Sequence, residues 1–216
     1  MANKVSQLEK DRQSGKTQVE VQRISILEAA EKTFLEKSLE HTSMKDIAAA
    51  AEITRASLYR YFPDIATIAF EIAVKMLKKI TDATNSEEST FSLETIRTSV
   101  VRMIDQFYPL RPAYRYIGMF DHLYGDNYPD EKLAAWYKEQ LFALDWIGIS
   151  SIEISSGIDP EQIAMIGNCT LSFLEKMAAR GELLSVEQEV SLDSGLTFYK
   201  DMINVYFENI ATTVHE

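Results

Sequence analysis

The stretch from Ser43 to Asp64, "SMKDIAAAAEITRASLYRYFPD", constrains the fold more than any other part of the chain. Ser43 followed three residues on by Asp46 is a capping box, in which hydroxyl and carboxylate reciprocally satisfy the orphan amide donors of a helix start. Ile47, Ala48 and Ala51 give that helix a small-residue face that lets another helix come close. After a three-residue break, Thr54 is the natural N-cap of a helix running to about Phe62. Leu58 and Phe62, four apart, form its inward stripe, with Ile53 plugging the turn. Pro63 stops it and Asp64 caps the next helix. The expectation is two short helices joined by a tight turn, the second carrying Thr54, Arg55, Ser57, Tyr59, Arg60 and Tyr61 on its outer side. Periodicity alone leaves two readings of such a pair: a generic helical hairpin, or a helix-turn-helix whose second helix fits a DNA major groove.

The remainder has helical period almost throughout, so the fold class is all-α, with about nine helices and no sheet. The first helix starts at Val21, with Leu27, Ala30 and Phe34 on one face. The fourth places Ile65, Ile68, Ile72, Met76 and Ile80 on one stripe. Further helices are expected at about 92–108, 111–124, 130–150, 159–180 and 193–212, from caps, first-turn acids and early prolines. Residues 1–20 are polar and without period, and read as a flexible tail. Residues 21–63 read as the helix-turn-helix domain, and 64–216 as a ligand-sensing and dimerisation domain.

Charge separates the two parts. Up to Phe62, ten basic and nine acidic side chains leave +1; the rest carries −12, which together give the −11 of the whole chain. A nucleic-acid face need only be locally basic, since charges are screened beyond about 8 Å at physiological salt. One cysteine, Cys169, excludes an intramolecular disulfide framework and fits a reducing compartment. The N-terminus lacks the apolar core of a signal peptide and no apolar run reaches 18 residues, so a cytoplasmic protein without membrane contact is expected. No Gly-rich phosphate loop, no paired histidines at metal spacing and no G-x-S-x-G motif occur. The expectation is accordingly no enzyme, no catalytic residues, no metal and no cofactor.

From about Arg23 to Ile72 the chain resembles the TetR (tetracycline-repressor) family of transcriptional regulators. The resemblance is carried by "TSMKDIAAAAEITRASLYRYFPD", in which Thr42, Ser43, Lys45, Asp46, Ile47, Ala48, Ala51, Thr54, Leu58, Tyr59, Tyr61 and Phe62 fall on the family pattern. It implies a homodimer that binds a pseudo-palindromic double-stranded DNA operator and is released by a small effector. Carried onto this sequence, it implies phosphate contacts from Thr42, Ser43, Lys45, Tyr59 and Tyr61. Arg55 and Arg60 are the base readers, since a guanidinium bonds guanine O6 and N7 together. Thr54, Ala56 and Ser57 lie at the leading end, where small side chains admit close approach. Two positions depart from the pattern. Glu52 stands where the family has its turn glycine, and Ile65 where it often has a phosphate-binding lysine.

Beyond residue 72 only the number and lengths of the helices agree with the family. The segment 103–146 is dense in aromatics and Met, residues that either form ordinary core or leave a cavity for an apolar or aromatic effector. Candidate lining residues are Met103, Phe107, Phe120, Tyr124 and Trp136, with His122 and Asn168 as polar anchors. In the last helix Leu196, Tyr199, Ile203, Tyr206 and Ile210 form one apolar stripe and Phe198, Met202 and Val205 a second. The preceding helix is apolar nearly all round, which requires cover on both sides. Phe173, Met177, Phe198, Met202 and Val205 are therefore the candidate dimer contacts. A rival reading is a helical ligand-binding or interaction protein whose helix-turn-helix no longer reads DNA, motivated by Glu52, Ile65 and the acidic larger part.

Overall fold

The computed structural model describes residues 17–84, 92–124, 131, 160–187 and 191–213. Among them are eight helices and no strand: α1 Gln18–Lys37, α2 Met44–Ala50, α3 Arg55–Tyr61, α4 Ile65–Thr84, α5 Leu93–Asp105, α6 Phe107–Tyr124, α7 Pro160–Glu187 and α8 Leu192–Thr213. The all-α expectation holds. The helix expected at 130–150 lies outside the described residues but for Glu131. No helix among the described residues is long and apolar enough to cross a membrane. The chain divides into two compact units, Met1–Ile72 and Ala73–Glu216, with the division inside α4 rather than at Pro63.

In the N-terminal unit, α1 begins three residues earlier than its apolar period announces. Thr17 is the N-cap, and its side chain and that of Glu20 form a full capping box. Two donors satisfied at once extend the helix beyond the point where burial begins, at Val21. The buried face is Ile26, Ala30, Thr33 and Phe34; Leu27 is only half-buried. Helices α2 and α3 are seven residues each, too short to persist in water alone, so packing holds them. Ile47 and Ala48 of α2 and Ala51 at its C-cap are buried as the small-residue face required, and α1 and α3 both pack on α2. Asp64 caps α4 by accepting the Thr67 amide at 2.7 Å.

In the C-terminal unit α6 and α7 form one packed pair, and α5 packs on α6, α7 and α8. The break between α5 and α6 falls at Gln106, several residues before the expected one, and α6 then carries Pro112 inside it. The proline removes one amide near the helix start, a loss the rest of an 18-residue helix with seven buried residues tolerates. Gly118 on α6 has Glu175 Cβ of α7 only 3.2 Å from where its own Cβ would stand. The buried stripe of α8 is Leu196, Ile203 and Phe207, so Phe207 and not Tyr206 continues it. Arg97 bonds Asn204 at 2.8 Å and Lys200 pairs with Asp105 at 2.6 Å, joining α5 to α8.

Candidate nucleic-acid interface

The turn between α2 and α3 is built by the backbone. Ile53 N–H donates to Ala48 C=O at 3.0 Å and Glu52 N–H to Ala49 C=O at 3.1 Å. This is the Schellman arrangement, in which the residue after the C-cap must take a left-handed conformation. That residue is Glu52, at φ 56°. A residue with a Cβ sits there at a cost of about 1 to 2 kcal/mol, which a glycine avoids. A second such position precedes α2: Ser38, the C-cap of α1, has φ 70° and ψ 158°. Its carbonyl accepts the Thr42 hydroxyl at 2.6 Å and its hydroxyl lies 3.0 Å from His41 Nδ1. Both turns that frame α2 therefore hold strained backbone, and hydrogen bonds hold them.

Helix α3 opens on Thr54, whose Oγ1 accepts the Ser57 amide at 3.1 Å and donates to Ser57 Oγ at 2.9 Å. Leu58 is its one buried residue, and Phe62 closes it with no exposure. With that side turned in, the opposite side must face out. Arg55, Ala56 and Arg60 are exposed, Tyr59 is 46% exposed, and Tyr61 and Ser57 are half-buried. Two guanidinium groups, a phenol and an alanine thus share one convex face. That face can donate hydrogen bonds to phosphates and base edges and admits close approach at its leading end.

The α2 end of the surface is differently disposed. Ser43 donates both its amide and its hydroxyl to Asp46 Oδ2, while Lys37 Nζ lies 2.7 Å from Oδ1. The Lys37 ammonium first, and then the Ser43 donors, hold the Asp46 carboxyl well below the usual carboxylate range. Ser43 is exposed, but its donors already serve the cap. Thr42 is buried, with its hydroxyl on the Ser38 carbonyl, so it shapes the loop from inside. Lys45 is exposed. Of the ten residues singled out from the sequence, Ser43, Lys45, Thr54, Arg55, Ala56, Tyr59 and Arg60 are exposed, Ser57 and Tyr61 half-buried, and Thr42 is turned inward.

The candidate effector residues lie mainly in packed interior. Met103, Phe107 and Phe120 are buried. Tyr114 ties two of them: its ring stacks on Phe107 at 6.0 Å and its hydroxyl donates to the Met103 carbonyl at 3.1 Å. Phe120 and Tyr124 are 5.0 Å apart. His122 is exposed at the end of α6, Asn168 is half-buried on α7, and Trp136 lies outside the described residues. A half-buried acid of this unit, Glu175, is one the sequence did not flag. Glu175 faces α6, where burial first and then the nearby Asp121 push its carboxyl up to about 8.

The candidate dimer residues divide in two. Phe198, Val205 and Met202 are 70%, 55% and 47% exposed on α8, with Tyr206 beside them. Phe173 instead stacks on Tyr199 at 4.1 Å, and Met177 closes on Gly195, so both join α7 to α8 within the chain. Cys169 is an exposed thiol on α7.

Comparison with known proteins agrees with this geometry. Residues 26–72 match the sequence model described as "Bacterial regulatory proteins, tetR family". No curated protein matches the chain. Among solved structures it is similar to the TetR family transcriptional regulator PfmR from Thermus thermophilus, with 24% identity, 82% of this chain and 96% of that one covered, and a TM-score of 0.51. It is similar to AibR in complex with isovaleryl coenzyme A and operator DNA, with 16% identity, 84% and 97% covered, and a TM-score of 0.59. It is also similar to a TetR variant from Acinetobacter baumannii in complex with minocycline, with 14% identity, 86% and 95% covered, and a TM-score of 0.56. At these identities the likeness is one of fold.

Proposed function

We propose that this chain, which carries the DNA-binding domain of the TetR family of bacterial regulatory proteins at residues 26–72, is a ligand-responsive transcriptional repressor. It binds a pseudo-palindromic operator as a homodimer in the cytoplasm and is released by a small apolar or aromatic effector. The observation that carries the reading is α3: Leu58 and Phe62 are fully buried while Arg55, Tyr59 and Arg60 stand outward. A short helix held from one side, with its arginines free of the core, is what insertion into a major groove requires. The exposed Phe198, Met202 and Val205 supply the apolar surface on which a second copy docks. Two-fold symmetry then sets the two recognition helices about 34 to 36 Å apart, one turn of DNA.

AibR and the minocycline-bound TetR variant bind small molecules in structures of similar fold, which supports a sensing role for the C-terminal unit. Helix α4 starts three residues after α3 ends and continues past Ile72, so it is the element that passes the effector signal on. An effector that binds better to the state with misplaced recognition helices shifts the population off DNA. Arg55→Ala tests the reading. A DNA reader loses about 1 to 3 kcal/mol at one operator position and keeps its fold. The alternative, an interaction protein whose helix-turn-helix is vestigial, rests on the exposed acid Glu52 and leaves Arg55→Ala without effect on function.

A further inference from the structure

Helix α3 has few contacts with which to fix its direction. Of its seven residues only Leu58 is buried, and Phe62 at its C-cap is the second anchor. Two points define an axis, so whatever holds Phe62 sets where Tyr59 and Arg60 aim. The Arg23 guanidinium of α1 lies over the Phe62 ring, 4.7 Å from its centroid. The same guanidinium donates from Nη2 to Glu71 Oε1 on α4, across 48 residues of sequence. One side chain therefore joins α1, the end of α3 and α4. Lys37 and Asp46, by contrast, tie α1 to α2 and do not reach α3.

We infer that Arg23 is the positioning residue of the recognition helix, fixing the end of α3 against α4 without itself touching DNA. The inference rests on the operator-reading function proposed above. A guanidinium suits the task because its face attracts an aromatic ring while its edge presents a fork to a carboxylate. A lysine ammonium keeps the charge but cannot hold both partners in one fixed geometry. When Glu71 moves with α4, the guanidinium is drawn off Phe62 and the aim of Tyr59 and Arg60 changes. Glu71 thus acts through Arg23.

The test compares the full-length wild type with Arg23→Lys, Arg23→Ala, Glu71→Gln and the double variant Arg23→Lys/Glu71→Gln. Melting temperature and affinity for a duplex selected by the wild type are measured over a salt series. Arg23→Lys is expected to weaken binding about 3- to 10-fold with an unchanged melting temperature, and the double variant to be no weaker than the worse single one. Arg23→Ala is expected to weaken binding without changing the dependence of log K on log salt. Wild-type affinity in Arg23→Lys overturns the inference. So does a salt slope reduced by about one in Arg23→Ala, which marks a direct phosphate contact. If the wild type selects no duplex, the operator-reading function fails, and amide exchange in the free protein still decides the positioning role. Exchange accelerated over the wild type at residues 58–62 and not at 26–34 in Arg23→Lys supports it, and exchange unchanged from the wild type at 58–62 overturns it.

Discussion

The two units expose opposite kinds of surface. The N-terminal one buries Leu58 and Phe62 and leaves cations, hydroxyls and the Tyr59 phenol on α3 outside; its strain is in the backbone, at Ser38 and Glu52. The C-terminal one has no positive φ outside glycine among the described residues, yet leaves Phe198, Met202 and Val205 in water and half-buries the acid Glu175 between α6 and α7. A surface built to meet DNA must be polar and held in shape, so the chain accepts strained turns. On the function proposed, the α8 surface that meets a second copy needs only apolar area, and regular helix provides it.

Three changes break or sharpen this contrast. The largest effect is expected from Phe198→Glu with Met202→Glu. Both side chains are exposed, so each protomer keeps its helix content, whereas a charge in an apolar interface weakens dimerisation by at least about 30-fold. Sedimentation equilibrium with far-UV circular dichroism separates the two quantities. A dimer of unchanged affinity would place the contact elsewhere and make the apolar face of α8 an unpartnered surface.

Glu175→Gln comes next. Burial and Asp121 raise its folded-state carboxyl from 4.5 to about 8. Between those values the folded protein keeps a proton that the unfolded chain has lost. Stability on this account is full below about pH 4.5 and falls as pH rises towards 8. At pH 9 the Gln variant should exceed the wild type by roughly 1 to 3 kcal/mol, and at pH 4.5 the two should agree. Denaturant titrations at both pH values check this. Parallel pH profiles would mean that the Glu175 carboxyl is solvated and that a desolvated acid is no mark of this unit.

The smallest effect tests the strained turns. Glu52→Gly should stabilise the protein by about 1 kcal/mol by relieving the left-handed backbone. It also removes an exposed acid beside the recognition helix and should raise operator affinity at low salt. Urea unfolding reads the first and a binding isotherm the second. A destabilised Gly variant would show that Glu52's own contacts outweigh its strain.

What was legible in the sequence was local chemistry. Ser43 with Asp46, Thr54, and Asp64 act within three residues, so side-chain type and spacing were sufficient to place the caps. The box at Thr17 and Glu20 obeys the same rule but precedes the apolar period, and so was counted with the tail. Leu58 and Phe62 were legible as a stripe, but Arg23 over Phe62 was not, because its partners are set by the tertiary fold. Periodicity puts Tyr206 on the apolar stripe, whereas its neighbour Phe207 is the aromatic on the buried side of α8. Pro112 in "RPAY" signals a helix start at about 111, whereas α6 starts at Phe107 and carries that proline inside it. Thr42 looked like a DNA contact by family pattern; that its hydroxyl closes on Ser38 depends on a loop conformation no residue type announces.

The central claim is that the outward face of α3 reads DNA, and selection of bound duplexes from a random pool at moderate salt tests it most directly. The account predicts enrichment of a pseudo-palindrome whose half-sites lie one helical turn apart, by the wild type and not by the Phe198→Glu/Met202→Glu monomer. Folded, dimeric wild-type protein that enriches no sequence would contradict it.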